Sequence, residues 1–177
     1  MDRRSFLSLS AATVAASALG QSPAVSGSTT PQSVPPVPAT GEIHTMGIDS
    51  PDFKVLTRDS RGNLFMAEHR NRQRGGPPLH MHPHQDETFC VLEGEYIAEV
   101  GGKRFNLRPG DTVLAPRNVP HAWAFVGNGT GKLIVAFTPA GKIEAFLSKI
   151  SATPVPLQDP ARFRNHDMVL LGPPLAV

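Results

Sequence analysis

Residues 77–95 read PPLHMHPHQDETFCVLEGE, and this stretch decides how the rest of the chain is interpreted. His80 and His82 alternate along a predicted strand, where side chains two positions apart point to the same face. Glu87 follows after a short loop and begins the returning strand, which brings its carboxylate towards the same point. Nitrogen and oxygen ligands at this spacing predict a site for a single metal ion.

A second stretch predicts a fourth ligand. Residues 110–126 read GDTVLAPRNVPHAWAFV, in which His121 begins a strand and would face inward. Three histidines and one carboxylate form a site that suits Fe, Mn, Co, Ni or Cu, with Zn also acceptable, and that does not suit Ca or Mg. His84 is expected to be solvated, because Pro83 and the loop after it turn the side chain away. The predicted metal ligands are therefore His80, His82, Glu87 and His121.

Turn residues divide the rest of the chain into short segments. From Ile43 onward, apolar alternations are broken roughly every eight to twelve positions, a pattern typical of an all-β sandwich or barrel. Gly101 and Gly102 predict a two-residue hairpin turn. Residues 141–150, GKIEAFLSKI, place apolar side chains at helical spacing, which predicts one helix packed on the outside of the barrel. The prolines beyond it predict an irregular tail, with room for a short helical turn at 160–163 and a strand at 169–171.

Composition and charge exclude some classes of function. The 177 residues carry 17 Lys and Arg against 15 Asp and Glu, so the basic surplus of a nucleic-acid-binding protein is absent. The length and the 40% hydrophobic content predict one globular domain. The single cysteine, Cys90, cannot form a disulfide within the chain. We expect a small molecule, and no nucleic acid, as the partner.

The first forty residues stand apart from the predicted domain. Met1 to Leu9 reads MDRRSFLSL and resembles a twin-arginine export signal, which predicts a periplasmic or secreted protein. The apolar run that follows is too short to span a bilayer as a permanent helix, so no stable membrane span is expected in the mature chain. The predicted organisation is an export signal at 1–20, a Pro- and Ser-rich linker at 21–40 and one domain at 41–177, with its barrel at about 41–139 and the helix and tail at 140–177.

At its two histidine motifs the sequence resembles the cupin superfamily. The first cupin motif, G-x5-H-x-H-x3,4-E-x6-G, is matched by the three ligands of 77–95 and by Gly94. The second, G-x5-P-x-G-x2-H-x3-N, is matched by Gly110, Pro116 and His121. Asn118 replaces the middle glycine of the second motif, and asparagine tolerates the left-handed backbone next best after glycine. The other two departures are Arg74 at the first glycine and Phe125 at the final Asn, which is not a ligand.

The resemblance covers roughly residues 41–177 and implies an all-β fold, a single jelly-roll barrel with the metal inside. A more specific likeness is to the single-domain cupins that resemble quercetin 2,3-dioxygenase, through 77–95, the AP-x-x-VPHAW stretch and the closing LGPPL. It implies a metal-dependent dioxygenase that opens a flavonol- or diphenol-like ring with O2. Glu87 is then the candidate catalytic residue, as acceptor of the substrate's hydroxyl proton. The candidates for substrate contact, whose simpler role is barrel core, are Met66, Phe89, Trp123 and Phe125.

Two other classes of function stay open. A metal that serves as a Lewis acid would make the protein a non-redox isomerase or lyase acting on a sugar or a small acid. A metal that only fixes a small ligand would make it a binding module without turnover. Few polar residues alternate inward around Trp123 and Phe125, which favours an apolar aromatic ligand. A homodimer also stays open, since edge strands are commonly covered by pairing. His44, His69 and His166 have no metal-like spacing and are taken as ordinary histidines.

Overall fold

The computed structural model describes residues 51–152 and 158–177. The predicted export signal and linker lie outside these ranges. The described elements are β1 (Asp52–Val55), β2 (Phe65–Asn71), β3 (Pro78–Met81), β4 (Asp86–Glu93), β5 (Tyr96–Val100), β6 (Lys103–Leu107), β7 (Thr112–Ala115), β8 (His121–Phe125), β9 (Gly131–Thr138), α1 (Ile143–Ala152), α2 (Pro160–Asn165) and β10 (Val169–Pro174). Neither helix is long and apolar enough for a bilayer span, a finding that covers the described part of the chain.

The ten strands form two antiparallel sheets. One has the order β1-β2-β9-β4-β7 and the other the order β10-β3-β8-β5-β6. Burial alternates along the central strands, so that Leu133, Val135 and Phe137 of β9 are buried while the residues between them are partly exposed. This period of two places one apolar face of each sheet inside and removes it from water. The architecture is a jelly-roll β-barrel, as predicted.

Two local backbone predictions are confirmed. Gly101 and Gly102 join β5 to β6 with φ of 59° and 78°, the positive values that a tight hairpin turn requires. Asn118 has a φ of 62°, so it takes the left-handed conformation expected of the residue that replaces a glycine. Its N–H donates to the carbonyl oxygen of His82 at 2.9 Å, which ties the loop before β8 to the end of β3.

One end of the barrel is closed by tight aromatic packing around Phe125. Its ring lies 5.3 Å from the ring of Tyr96, measured between centroids. A Cβ added to Gly131 would come within 2.6 Å of the Phe125 ring, and one added to Gly94 within 2.8 Å. Only glycine leaves room for the ring at these positions. Phe125 is therefore a core residue of the closed end.

The C-terminal part is more regular than a plain irregular tail, and its second helix and last strand lie where the sequence leaves room for a helical turn and a strand. Two helices and a strand follow β9, and β10 pairs with β3 so that Leu170 is opposite His80. The Oδ1 atom of Asp159 caps α2 by accepting from the N–H of Ala161, and Pro160 takes the first helical position. As the edge strand of its sheet, β10 can hold prolines without breaking a ladder. The prolines therefore shape this segment instead of ending its regular structure.

The predicted helix buries the apolar side chains that its spacing identifies. Ile143 and Phe146 of α1, with Phe163 of α2, belong to the same buried apolar cluster as the barrel interior. The rings of Phe146 and Phe163 pack edge to face at 5.3 Å between centroids. The two helices thus extend the core beyond the strands, on the side of the barrel where His80 lies.

Candidate metal centre

The barrel brings four chemically matched side chains together. His80 lies on β3, Glu87 on β4 and His121 on β8, while His82 directly follows β3. His80 and His121 are direct partners across the β3–β8 pair. All four residues are buried, and their ligand atoms lie within 4.8 Å of one another. The four residues that the sequence predicts as ligands therefore converge on one point.

Glu87 stands at the centre of this group. Its Oε2 atom lies 2.8 Å from Nε2 of His121, 3.2 Å from Nε2 of His82 and 3.8 Å from Nε2 of His80. Only the His121 contact is a hydrogen bond. The three histidines thus aim the same nitrogen, Nε2, at one carboxylate oxygen.

Backbone carbonyl groups fix the orientation of two of the rings. Nδ1 of His80 lies 2.8 Å from the carbonyl oxygen of Pro78, and Nδ1 of His121 lies 2.8 Å from that of Val119. A carbonyl oxygen can only accept, so Nδ1 carries the proton in both rings. Nε2 of His80 is therefore left to act as a ligand, whereas Nε2 of His121 donates a hydrogen bond to Glu87 and would release that proton to bind a metal.

A buried glutamine does the same for the third ring. Nδ1 of His82 donates to Oε1 of Gln85 at 3.1 Å, and Nε2 of Gln85 donates to the carbonyl oxygen of Ala140 at 2.6 Å. The second bond fixes which end of the amide faces His82. Gly141, with a φ of 54°, leaves room for this side chain, since a Cβ there would come within 2.6 Å of it.

The electrostatics of the group suit a cation. Burial alone would raise the pKa of Glu87, but the hydrogen bond from His121 and the closeness of His82 hold the pKa of the carboxyl well below its ordinary value. Burial lowers the pKa of His80 to about 3, helped by the charges of His121 and His82. Burial is the largest single influence on His121 and acts to lower its pKa, but the hydrogen bond to Glu87, the charge of Glu87 and the hydrogen bond to the Val119 carbonyl together raise the pKa of His121. A buried carboxylate and His80 as a neutral imidazole are thus ready to bind a metal.

One buried atom supports this interpretation directly. Nε2 of His82 is shielded from solvent and makes no hydrogen bond within the described part of the chain. An unpartnered buried polar atom costs about 1–3 kcal/mol, and a metal at the centre of the cluster would satisfy it. Three nitrogens and one carboxylate oxygen suit Fe, Mn, Co, Ni, Cu or Zn. The residues present fit a single divalent transition metal.

A comparison with known families agrees with this geometry. Residues 71–137 match the family model of the cupin domain, and all four candidate ligands lie within that stretch. This stretch of the chain is similar to the cupin domain. An uncharacterised protein from Methanocaldococcus jannaschii is 30% identical over 61 residues, which are 34% of this chain and 49% of the relative. The match therefore spans about half the length of that curated relative.

Two solved structures are among those similar to this chain. KdgF from a Halomonas species is 22% identical, with 56% of this chain and 86% of that chain covered and a TM-score of 0.48. An RmlC-like cupin from Shewanella frigidimarina is 23% identical, with 58% of this chain and 87% of that chain covered and a TM-score of 0.47.

Within the barrel, the predicted substrate residues fall in different places. The Phe89 ring lies 6.0 Å from the His121 ring between centroids, beside the candidate metal centre. Trp123 is buried two positions beyond His121 on β8, and Phe125 belongs to the closed end. Met66 lies on the opposite face of β2 from the fully buried Phe65, because side chains alternate along a strand. Met66 therefore lies on the other face of β2, and its contact with a substrate stays a prediction.

The structure also brings to the barrel interior two residues that the sequence does not predict as site residues. His69 is buried, although it is taken above as an ordinary histidine. Its alternation with Phe65 and Ala67 on β2 is the signal that could have placed it inside. Gln85 lies three positions after His82, a spacing that gives no metal-like pattern by itself. His84 is exposed, as predicted.

Proposed function

We propose that the protein is a metal-dependent dioxygenase that acts on a small oxygenated aromatic compound, such as a flavonol or a diphenol, with O2. The observation that carries the proposal is the buried cluster of His80, His82, Glu87 and His121. When bound, a redox-active divalent metal would supply Lewis acidity towards the substrate's oxygen and one-electron chemistry towards O2.

The surroundings of the cluster support an aromatic substrate. One phenylalanine ring stands beside each histidine ring, with centroid distances of 5.5 Å for Phe137 and His82, 5.8 Å for Phe163 and His80, and 6.0 Å for Phe89 and His121. Aromatic side chains offer edges and faces to a planar ligand and contribute no competing hydrogen bonds. They also exclude water from the reacting groups. A sugar would find few polar partners on these walls.

Glu87 is the group proposed to handle the substrate's proton. Its Oε2 atom faces the Nε2 atoms of the three histidines, and its carboxyl is ionised at neutral pH because its pKa is lowered. An ionised carboxylate is the state in which a general base can accept a proton. We assign Oε2 as the atom that receives the proton of the substrate hydroxyl.

Oxygen consumption tests the proposed reaction. Separate samples loaded with Fe, Mn, Co, Ni or Cu would be given flavonols and small diphenols, with a zinc-loaded sample as the redox-inactive control. The proposal expects O2 uptake with at least one redox-active metal and loss of that uptake in His121→Ala. No uptake with any of the five metals would rule out a dioxygenase. Turnover of a sugar or a small acid without O2 would instead identify a non-redox isomerase or lyase.

We also propose that the protein acts outside the cytoplasm. The support is the paired arginines at Arg3 and Arg4, followed after one residue by Phe6 and Leu7. Replacing both arginines with lysine keeps the charge and removes the pattern. The double variant should stay in the cytoplasm of a host that has the twin-arginine pathway, whereas the unchanged chain should be exported. Equal export of both would contradict this assignment.

A further inference from the structure

A second buried imidazole lies inside the barrel, outside the ligand cluster. His69 is on β2, opposite Leu133 of β9, and only 5% of its surface is exposed. It shares the inner face of β2 with Phe65 and Ala67, which are fully buried. His69 therefore faces the same interior as the candidate metal centre.

One nitrogen of this ring has no hydrogen-bond partner among the described residues. Nδ1 of His69 is buried and makes no hydrogen bond to any described residue. In contrast, Nδ1 of His80 and of His121 each have a backbone carbonyl partner. A buried unpartnered nitrogen costs about 1–3 kcal/mol, so such atoms in native proteins usually meet a ligand or a bound water.

The surroundings of His69 define what that partner can be. The ring of Trp123 packs against it edge to face at 5.4 Å between centroids. Burial lowers the pKa of His69 to about 4, although the charge of Glu87 acts in the opposite direction. His69 is thus neutral at neutral pH, with one ring nitrogen as donor and the other as acceptor. A hydroxyl group can both donate and accept, so it matches Nδ1 in either tautomer.

We propose that His69 is a substrate-binding residue, whose Nδ1 forms a hydrogen bond with a hydroxyl group of the aromatic ligand beside Trp123. This hydroxyl is additional to the oxygen that the ligand presents at the metal centre. The inference rests on the proposed function, because that proposal supplies the aromatic ligand. The role of His69 narrows the substrate class to aromatic compounds with several hydroxyl groups. Aromatic compounds whose only polar groups lie at the metal are disfavoured.

Two flavonols and two variants test this inference. Quercetin carries hydroxyl groups beyond its 3-hydroxyl and 4-keto groups, whereas 3-hydroxyflavone carries none. Both would be titrated into zinc-loaded protein, which binds without redox turnover, and their affinities compared in the unchanged chain, His69→Phe and His69→Asn. Phenylalanine keeps the ring and removes the nitrogen, while asparagine keeps a polar atom near the position of Nδ1. His84→Phe at an exposed position is the matched control.

His69→Phe should bind quercetin about tenfold more weakly, as expected for one lost hydrogen bond, and 3-hydroxyflavone within about twofold of the unchanged chain. His69→Asn should retain most of the quercetin affinity. Zinc content should not change, and the melting temperature of His69→Phe should not fall, because the variant removes an unpartnered polar atom. A merely structural histidine would instead lower the melting temperature and leave flavonol selectivity unchanged, which would overturn the inference.

The outcomes separate this inference from the proposed reaction. If quercetin binding depends on His69 but no metal supports O2 uptake, the dioxygenase proposal fails and His69 remains a ligand-binding residue. If O2 uptake occurs and both His69 variants bind quercetin as the unchanged chain does, the His69 inference fails alone. If the unchanged chain binds neither flavonol, the His69 inference is overturned, and O2 uptake with diphenols still decides the proposed reaction.

Discussion

The amide oxygen of Gln85 lies 3.1 Å from Nδ1 of His82 and fixes the orientation of that ring. The amide nitrogen of Gln85 is in turn bonded to the carbonyl oxygen of Ala140 at 2.6 Å, in the loop after β9. One candidate ligand is thus held by a side chain that the C-terminal part of the chain keeps in place.

Replacing Gln85 with alanine should weaken metal binding about 10- to 100-fold, the usual cost of losing a partner that orients a histidine ligand. Competition with a chelator of known affinity would measure the change. Gln73→Ala is the matched control, because Gln73 is exposed. Equal affinities in both variants would show that Gln85 does not orient His82.

His121→Ala should lose most of its bound metal, since it removes one of three nitrogen ligands and the hydrogen bond to Glu87. Elemental analysis of purified protein would give the metal content per chain. His84→Ala removes an exposed histidine and should keep the full content. Full occupancy in His121→Ala would mean that the metal is held elsewhere.

Phe163→Ala should lower the free energy of unfolding by about 3–5 kcal/mol, because it leaves a cavity between His80 and Phe146. Urea denaturation of metal-free protein would measure the loss. Arg164→Ala, at the next and exposed position of α2, should change stability by less than about 0.5 kcal/mol. Losses of similar size in the two variants would argue against a packing role for Phe163.

Gly76→Ala should prevent folding or destabilise the protein severely. A Cβ at this position would fall on the carbonyl oxygen of Trp123, and backbone atoms cannot move aside as a flexible side chain can. Gly172→Ala is the control, because its added Cβ would lie 3.6 Å from Leu79 in ordinary contact. Circular dichroism and thermal unfolding would compare the two variants. A stable, native-like Gly76→Ala would contradict the close approach of these segments.

The Asp86–Arg117 pair should contribute stability that depends on pH. The side-chain hydrogen bond from Arg117, with Nη2 at 2.8 Å from Oδ2, and a second bond from its backbone N–H lower the pKa of Asp86 from 3.8 to about 2. Since the folded pKa lies below the unfolded value, the contribution is complete above pH 3.8 and is lost as the pH falls towards 2.

Urea midpoints of the unchanged chain and Asp86→Asn would test this dependence. The difference between them should be constant from pH 4 to 6 and shrink between about pH 4 and pH 2. Because both side chains are partly exposed, 1 M salt should also reduce it. A difference that grows as the pH falls would contradict the direction of the shift.

The sequence predicts most of the strands and the ligand cluster because both follow local rules. Turn residues such as Gly101 and Gly102 mark where strands end, and alternation assigns His80 and His82 to one face. The convergence of His121 with them follows from motif spacing that the resemblance supplies. These features need no knowledge of which strands pair.

The parts that could not be predicted depend on non-local contacts. Alternation puts Met66 and Phe65 on opposite faces of β2, but which of these faces is the inner one depends on how β2 and β9 pair and pack. The pairing of β10 with β3 joins segments far apart in the chain. The prolines of β10 predict an end of regular structure unless the strand is known to lie at the edge of its sheet. The alternation of His69 with Phe65 and Ala67 indicates the inner face of β2, but its closeness to Trp123 appears only in the finished barrel.

The pairing of β10 with β3 also bears on how the protein is made. All four candidate ligands precede β9, whereas Phe163 and Leu170, which lie against His80, come after α1. The ribosome therefore releases the complete ligand set before the segment that covers it. Docking of β10 onto β3 is therefore a step of barrel closure that cannot begin until every candidate ligand has been synthesised.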